Sequence, residues 1–142
     1  MNCPVVRPAG PGDLDAVAAL AKARPFAAGW SRDALAQELD RDDAVFLVST
    51  PPGYALARIV SDDCRLLDIA AGEDGRGVGR ALLAALQAAA FGRGCRKISF
   101  EVSAVNARAL AFYAAAGAAV VGRRKKFYND GSDALLMDLN LK

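Results

Sequence analysis

Apolar and polar positions change their period several times along the 142 residues, and each change marks an element. Val5-Val6-Arg7 reads as a first strand, stopped by Pro8. Gly10-Pro11-Gly12-Asp13 starts a helix, because proline is tolerated in a first turn. Leu14, Val17, Ala18 and Ala21 then recur at helical spacing, and Pro25 ends the run. Ser31 suits the N-cap of a second helix, where a hydroxyl satisfies an orphan N–H. Trp30 and Leu35 flank it as the two ends of a hydrophobic staple. Ala44–Ser49 and Tyr54–Val60 alternate like strands across a Pro51-Pro52-Gly53 turn, and Asp62-Asp63 turns the chain into a third strand, Arg65–Ala71. Hairpin after hairpin predicts an antiparallel meander.

After residue 71 the order changes. Gly77–Ala90 has a helical pattern, stopped by Gly92 and Gly94. Arg96–Val102 is a strand. Asn106–Ala116 is a helix with Asn106 as N-cap and Gly117 just past its end. Ala118–Arg124 and Ala134–Leu141 form a final hairpin around Asn129-Asp130-Gly131. The strand, helix and strand over residues 65–102 form a crossover unit, which needs parallel neighbours. The predicted class is therefore mixed α/β (α+β): a sheet antiparallel at first, parallel at its centre and antiparallel again, in one domain over residues 1–142. In open sheets ligands bind beyond the carboxyl ends of the parallel strands.

Composition narrows the chemistry. With 54% hydrophobic and 24% charged residues the chain can bury a core. A net charge of +2 is too small to imply nucleic-acid binding by bulk electrostatics. Cys3, Cys64 and Cys95 form neither a disulfide framework nor a zinc motif, so a reducing cytoplasmic setting is expected. No apolar run is long enough to span a bilayer, and the N-terminus lacks a signal-like apolar core. There is no histidine. That excludes a Ser-His-Asp triad, a Cys-His dyad and histidine-dependent metal sites, and no metal is expected.

The stretch from Leu66 to Leu83 joins a short apolar strand, a loop with Gly72, Gly75, Gly77 and Gly79, and a helix start. Bare N–H groups at a helix N-terminus, with its dipole, suit an anion. The lysine-type nucleotide loop is excluded, because this loop ends Gly79-Arg80-Ala81. The dinucleotide fingerprint fails too: its third glycine would fall on Arg80 or Leu82. In strand 96–102, Ile98, Phe100 and Val102 share one face, and Lys97, Ser99 and Glu101 the other. With helices expected on both faces, a carboxylate at Glu101 is either salt-bridged or lines a site. A desolvated carboxyl has a raised pKa, which suits a general base. Tyr113 shares a helix face with Leu110, as a core tyrosine would.

The loop Asp74-Gly75-Arg76-Gly77-Val78-Gly79 resembles the coenzyme A pyrophosphate loop of the GCN-five-related N-acetyltransferases (GNAT). Glu101-Val102, Asn106 opening a helix, and Tyr113 followed by Ala116-Gly117 look like the second half of a RimI-type member, which acetylates the N-terminal alanine of a small-subunit ribosomal protein. Trp30-Ser31, Arg80-Ala81-Leu82-Leu83, and Tyr128 with Asp133-Ala134-Leu135-Leu136-Met137 extend the likeness over residues 5–141. It implies splayed central strands in a sheet of roughly six or seven strands with about four helices. It implies acetyl-CoA as co-substrate, Glu101 as general base and Tyr113 as the general acid for the leaving thiolate. Ile69, Ala70 and Ala71 would pair by backbone with the pantetheine arm. Gly75, Arg76, Gly77, Val78, Gly79 and Arg80 would hold the pyrophosphate, and Asn106 would bond the coenzyme arm.

The expected reaction is acetyl transfer to a primary amine, most simply the N-terminal α-amine of a protein. At pH 7, deprotonation costs roughly 1 kcal/mol for an α-amine and roughly 4.6 kcal/mol for lysine, so one glutamate suits the former. A small amine such as a polyamine, or a non-catalytic coenzyme-binding module, are the alternatives. Asp74 stands where the family has Gln or Arg and is expected to point to solvent. The loop after Ile69 is shorter than the family's, and Ser103 replaces an arginine common in the RimI type. Residues 24–31 and the hairpin 127–132, with Pro25, Phe26, Trp30 and Tyr128, are expected to wall an acceptor groove. The run Arg123-Arg124-Lys125-Lys126 is read as a solvated strand end, with neither nucleic acid nor membrane as a partner.

Overall fold

The computed structural model describes residues 3–23, 30–73 and 77–141. Seven strands form one sheet: β1 (Val5–Pro8), β2 (Ala44–Thr50), β3 (Gly53–Val60), β4 (Asp63–Ala71), β5 (Lys97–Ser103), β6 (Ala119–Arg124) and β7 (Ala134–Asn140). Their order is β1-β2-β3-β4-β5-β7-β6, antiparallel except for β4 with β5. The described helices are α1 (Leu14–Ala23), entered through a short 3-10 turn, α2 (Arg32–Leu39), α3 (Val78–Gly92) and α4 (Ala107–Ala115). The mixed α/β sheet predicted from the sequence is present.

Local chemistry sets the helix ends. The Ser31 hydroxyl accepts the Ala34 N–H at 3.1 Å, and the Asn106 side-chain oxygen accepts that of Ala109 at 3.2 Å. Gly117, with φ of 99°, closes α4 in the left-handed region. Trp30 and Leu35 both belong to the apolar cluster beneath α1 and α2, as a staple requires. Asp63, expected in a turn, already belongs to β4; Ser61, with φ of 58°, makes that turn with Asp62.

The core has two halves, one on each face of the sheet. On one, Leu82, Leu83 and Leu86 of α3 cover Ala55, Ala57, Cys64 and Ile98, and Tyr113 of α4 joins them. On the other, Leu14, Val17 and Leu35 cover Phe46, Val48, Tyr54 and Leu56. In β5 the predicted alternation holds: Ile98, Phe100 and Val102 are buried with α3, while Lys97, Ser99 and Glu101 are half-buried on the opposite face. The expectation of helices over both faces of β5 fails. Helices α1 and α2 pack over β2, β3 and β4, and the polar face of β5 opens on a cleft.

Candidate active site

The site begins where β4 and β5 part. They pair only through Asp63 with Lys97, Cys64 with Ile98 and Arg65 with Ser99. Beyond that, Leu66–Ala71 keep their bonds to β3, but no described ladder joins them to β5. A strand left unpaired on one side presents backbone N–H and C=O groups that need partners. Ile69, Ala70 and Ala71 are in this stretch, each half-buried.

A bulge adds to the parting. Leu56 pairs with Asp68 and Ala57 with Leu66, so Leu67 is an extra residue in β4. Strict alternation would put Asp68 on the core face of Cys64 and Leu66. The bulge moves it to the face of its partner Leu56, where the Tyr54 hydroxyl donates to its carboxylate. The sequence reading missed Asp68, and only the two adjacent leucines before it hint at the slip.

Below the parting lies a cleft of about 300 Å³. Arg65 and Leu67 line it from β4, Ser99 and Glu101 from β5, and Phe127 and Tyr128 from the loop before β7. Glu101 lies 3.6 Å from the Arg124 guanidinium with 23% of its side chain exposed, so it is both ion-paired and site-lining. Arg124 also lies over the Phe127 ring, 5.4 Å from its centroid. Burial, then the Glu101 charge, push the Tyr128 hydroxyl pKa up.

Tyr113 approaches from the other side of β5. It is 7% exposed and its ring lies 4.1 Å from that of Phe100, which also borders the cleft. Burial foremost, and the Asp68 charge after it, hold its phenol far above the ordinary value. Such a group stays protonated at neutral pH and can act as a proton donor. The two catalytic candidates thus flank the parting from opposite faces of one strand.

At the mouth, α3 starts from Gly77, whose φ of 75° is a glycine conformation. The first helical bond runs from Ala81 N to Gly77 O at 3.0 Å. The N–H groups of Val78, Gly79 and Arg80 therefore have no intrahelical acceptor. A Cβ on Gly79 would lie 3.4 Å from the Phe112 ring, so this glycine also lets α3 start close against α4. Val78 is buried, and Arg80 is exposed beside the helix start. Asp74, Gly75 and Arg76 lie outside the described residues, as do Pro25 and Phe26. Free strand amides on one wall and a helix N-terminus at the rim fit a ligand with an amide-bearing arm and a diphosphate. Among the described residues no group of side chains is arranged to hold a metal, and no helix is long and apolar enough to cross a membrane.

Known structures share this fold. A ribosomal-protein-alanine N-acetyltransferase from Escherichia coli is 28% identical, with a TM-score of 0.84 over 98% of this chain and 94% of that one. Another from Brucella melitensis is 25% identical, with a TM-score of 0.82 over 96% and 99%. Ard1 from Thermoplasma volcanium, at 22% identity, shares the fold with a TM-score of 0.89 over 99% of both chains. No curated protein matches by sequence. The acetyltransferase (GNAT) family model matches residues 19–118. The chain therefore belongs to the acetyltransferase (GNAT) family, as an acyltransferase with acetyl-CoA as its donor.

Proposed function

We propose that the chain acetylates the N-terminal α-amine of a protein, with an alanine-initiated ribosomal protein as the model acceptor. The observation that carries this reading is the parting of β4 from β5 after Arg65 and Ser99, with Glu101 on one face and Tyr113 behind the other. The likeness to two enzymes named for ribosomal-protein alanine supports the choice of acceptor.

In this reading the backbone of Ile69, Ala70 and Ala71 holds the pantetheine arm. The turn Gly75–Arg80 holds the pyrophosphate through N–H groups, with Arg80 adding charge. The Asn106 oxygen is engaged in capping α4, so its amide N–H serves the coenzyme arm. Glu101 takes one proton from the α-ammonium, directly or through a water. The neutral nitrogen attacks the thioester carbonyl, the C–S bond breaks, and Tyr113 gives its proton to the departing thiolate. The nitrogen's remaining surplus proton then passes through water to restore the Tyr113 phenol as the amide forms, and Glu101 releases its proton to solvent. A single carboxylate suffices because an α-amine needs only about 1 kcal/mol to deprotonate at pH 7, against roughly 4.6 kcal/mol for lysine.

The cleft argues against a polyamine. A polycation wants several carboxylates, and here Glu101 shares the cleft with Arg65 and is paired with Arg124. The test is mass spectrometry of an alanine-initiated peptide incubated with acetyl-CoA and the protein. Acetylation at the α-amine is the expected product. Modification of small amines alone, or coenzyme binding with no product, would overturn the reading.

A further inference from the structure

The basic groups on the acceptor face of β3, β4, β5 and β6 are almost all matched. Lys97 reaches Asp138 at 3.1 Å, Arg124 lies 3.6 Å from Glu101, and Arg58 is paired with the buried Glu38. Arg65 is the exception among the described residues: it is exposed, lines the cleft, and no ion pair or hydrogen bond engages its guanidinium. Asp63, two positions earlier on the same face, accepts instead from the Ser99 hydroxyl at 2.8 Å. The exposed Lys125 and Lys126 precede Phe127 and Tyr128 on the opposite wall, and the one carboxylate that lines the cleft, Glu101, is already paired with Arg124. An unpaired arginine offers a planar fork suited to a carboxylate.

Spacing says where on an acceptor that carboxylate would lie. Arg65 stands opposite Ser99, and Glu101 is two residues further along the same face. One strand spacing across and two residues along place the two Cα atoms roughly 8 Å apart. Two or three residues of extended chain, at about 3.3 Å each, bridge that distance. We propose that Arg65 determines acceptor specificity: while Glu101 receives the α-amine, Arg65 takes an acidic side chain at the second or third residue of the same peptide. The acceptors are then acidic N-termini rather than basic ones. This rests on the N-terminal reading above and adds to it a class of sequence.

The experiment compares alanine-initiated peptides that differ only in carrying Asp, Asn or Lys at positions two and three. The wild-type protein should prefer Asp over Asn by about five-fold in KM, the upper end for one part-exposed ion pair, and should disfavour Lys. The preference should shrink as salt is raised. Arg65→Lys should retain the ranking, Arg65→Ala should level it, and Arg65→Glu should invert it. Because Arg65 is exposed, these variants keep the core intact. Equal KM values for the three peptides, or a ranking that survives Arg65→Ala, would overturn the inference while leaving N-terminal acetylation standing. If no peptide is acetylated, the N-terminal reading fails and this one falls with it.

Discussion

The pair formed by β4 and β5 has two halves with opposite chemistry. In the lower half, three residues of each strand are zipped, and Cys64 and Ile98 sit at 0% exposure beneath α3. In the upper half the strands part, and Asp68, Glu101 and Tyr113 gather about the gap. The difference follows from the sequence of β4. Cys64 and Leu66 keep strict alternation with the core, whereas the extra residue Leu67 turns the strand and brings a carboxylate to the other face. A strand can be closed where it is apolar and held open where it bulges.

The largest effect that would sharpen this contrast is at Glu101. Glu101→Gln should lower kcat/KM by roughly 10²–10⁴, the range for a general base, with the melting temperature unchanged. A variant with full activity would remove Glu101 from the chemistry. In the zipped half the response should be reversed. Ile98→Ala, at a fully buried position, should cost roughly 2–5 kcal/mol in denaturant unfolding. Its turnover per folded molecule should stay at the wild-type level. If catalysis fell as far as stability, the two halves would not be separable.

Next in size is Tyr113→Phe. The ring remains to pack on Phe100 while the proton donor is lost. Turnover should drop about 10²-fold, the lower end for acid catalysis, with acetyl-CoA affinity within about two-fold of wild type. A large loss of coenzyme affinity instead would mark Tyr113 as a packing residue.

The last effect is alkaline. Burial, with lesser help from Cys95 and Asp63, pushes the Cys64 thiol up to about 12. An unfolded thiol titrates near 8.5, so above that pH the unfolded chain releases a proton that the folded chain keeps. The Cys64 contribution is thus intact below about pH 8.5 and is lost progressively as pH rises toward about 12. Cys64→Ala should flatten the fall in denaturant midpoint between pH 8.5 and 11. An equally steep fall in the variant would place the alkaline sensitivity elsewhere.

Much of this arrangement could be read from the chain, because it depends on near neighbours. Ser31 and Asn106 cap helices through bonds to residues three positions away. The face of Glu101 follows from period two in an unbulged strand. The partners of the site were less legible. Arg124 meets Glu101 only because β7 lies between β5 and β6. The face of Asp68 depends on a bulge, and a single extra residue reverses every side chain after it. The open polar face of β5 was missed because the extent of α1 and α2 over the sheet is a tertiary matter. The turn at Asp74, Gly75 and Arg76 lies outside the described residues. The proposal that it holds a pyrophosphate rests on the likeness stated from the sequence and on the helix start that follows.

In the proposed reading the unzipped edge of β4 and the start of α3 together grip the donor. Hydrogen exchange with and without saturating acetyl-CoA tests it most directly. New amide protection should concentrate in Ile69–Ala71 and Gly77–Arg80, with the zipped residues 63–65 and 97–99 unchanged. Protection confined to other strands, or none at saturation, would contradict it.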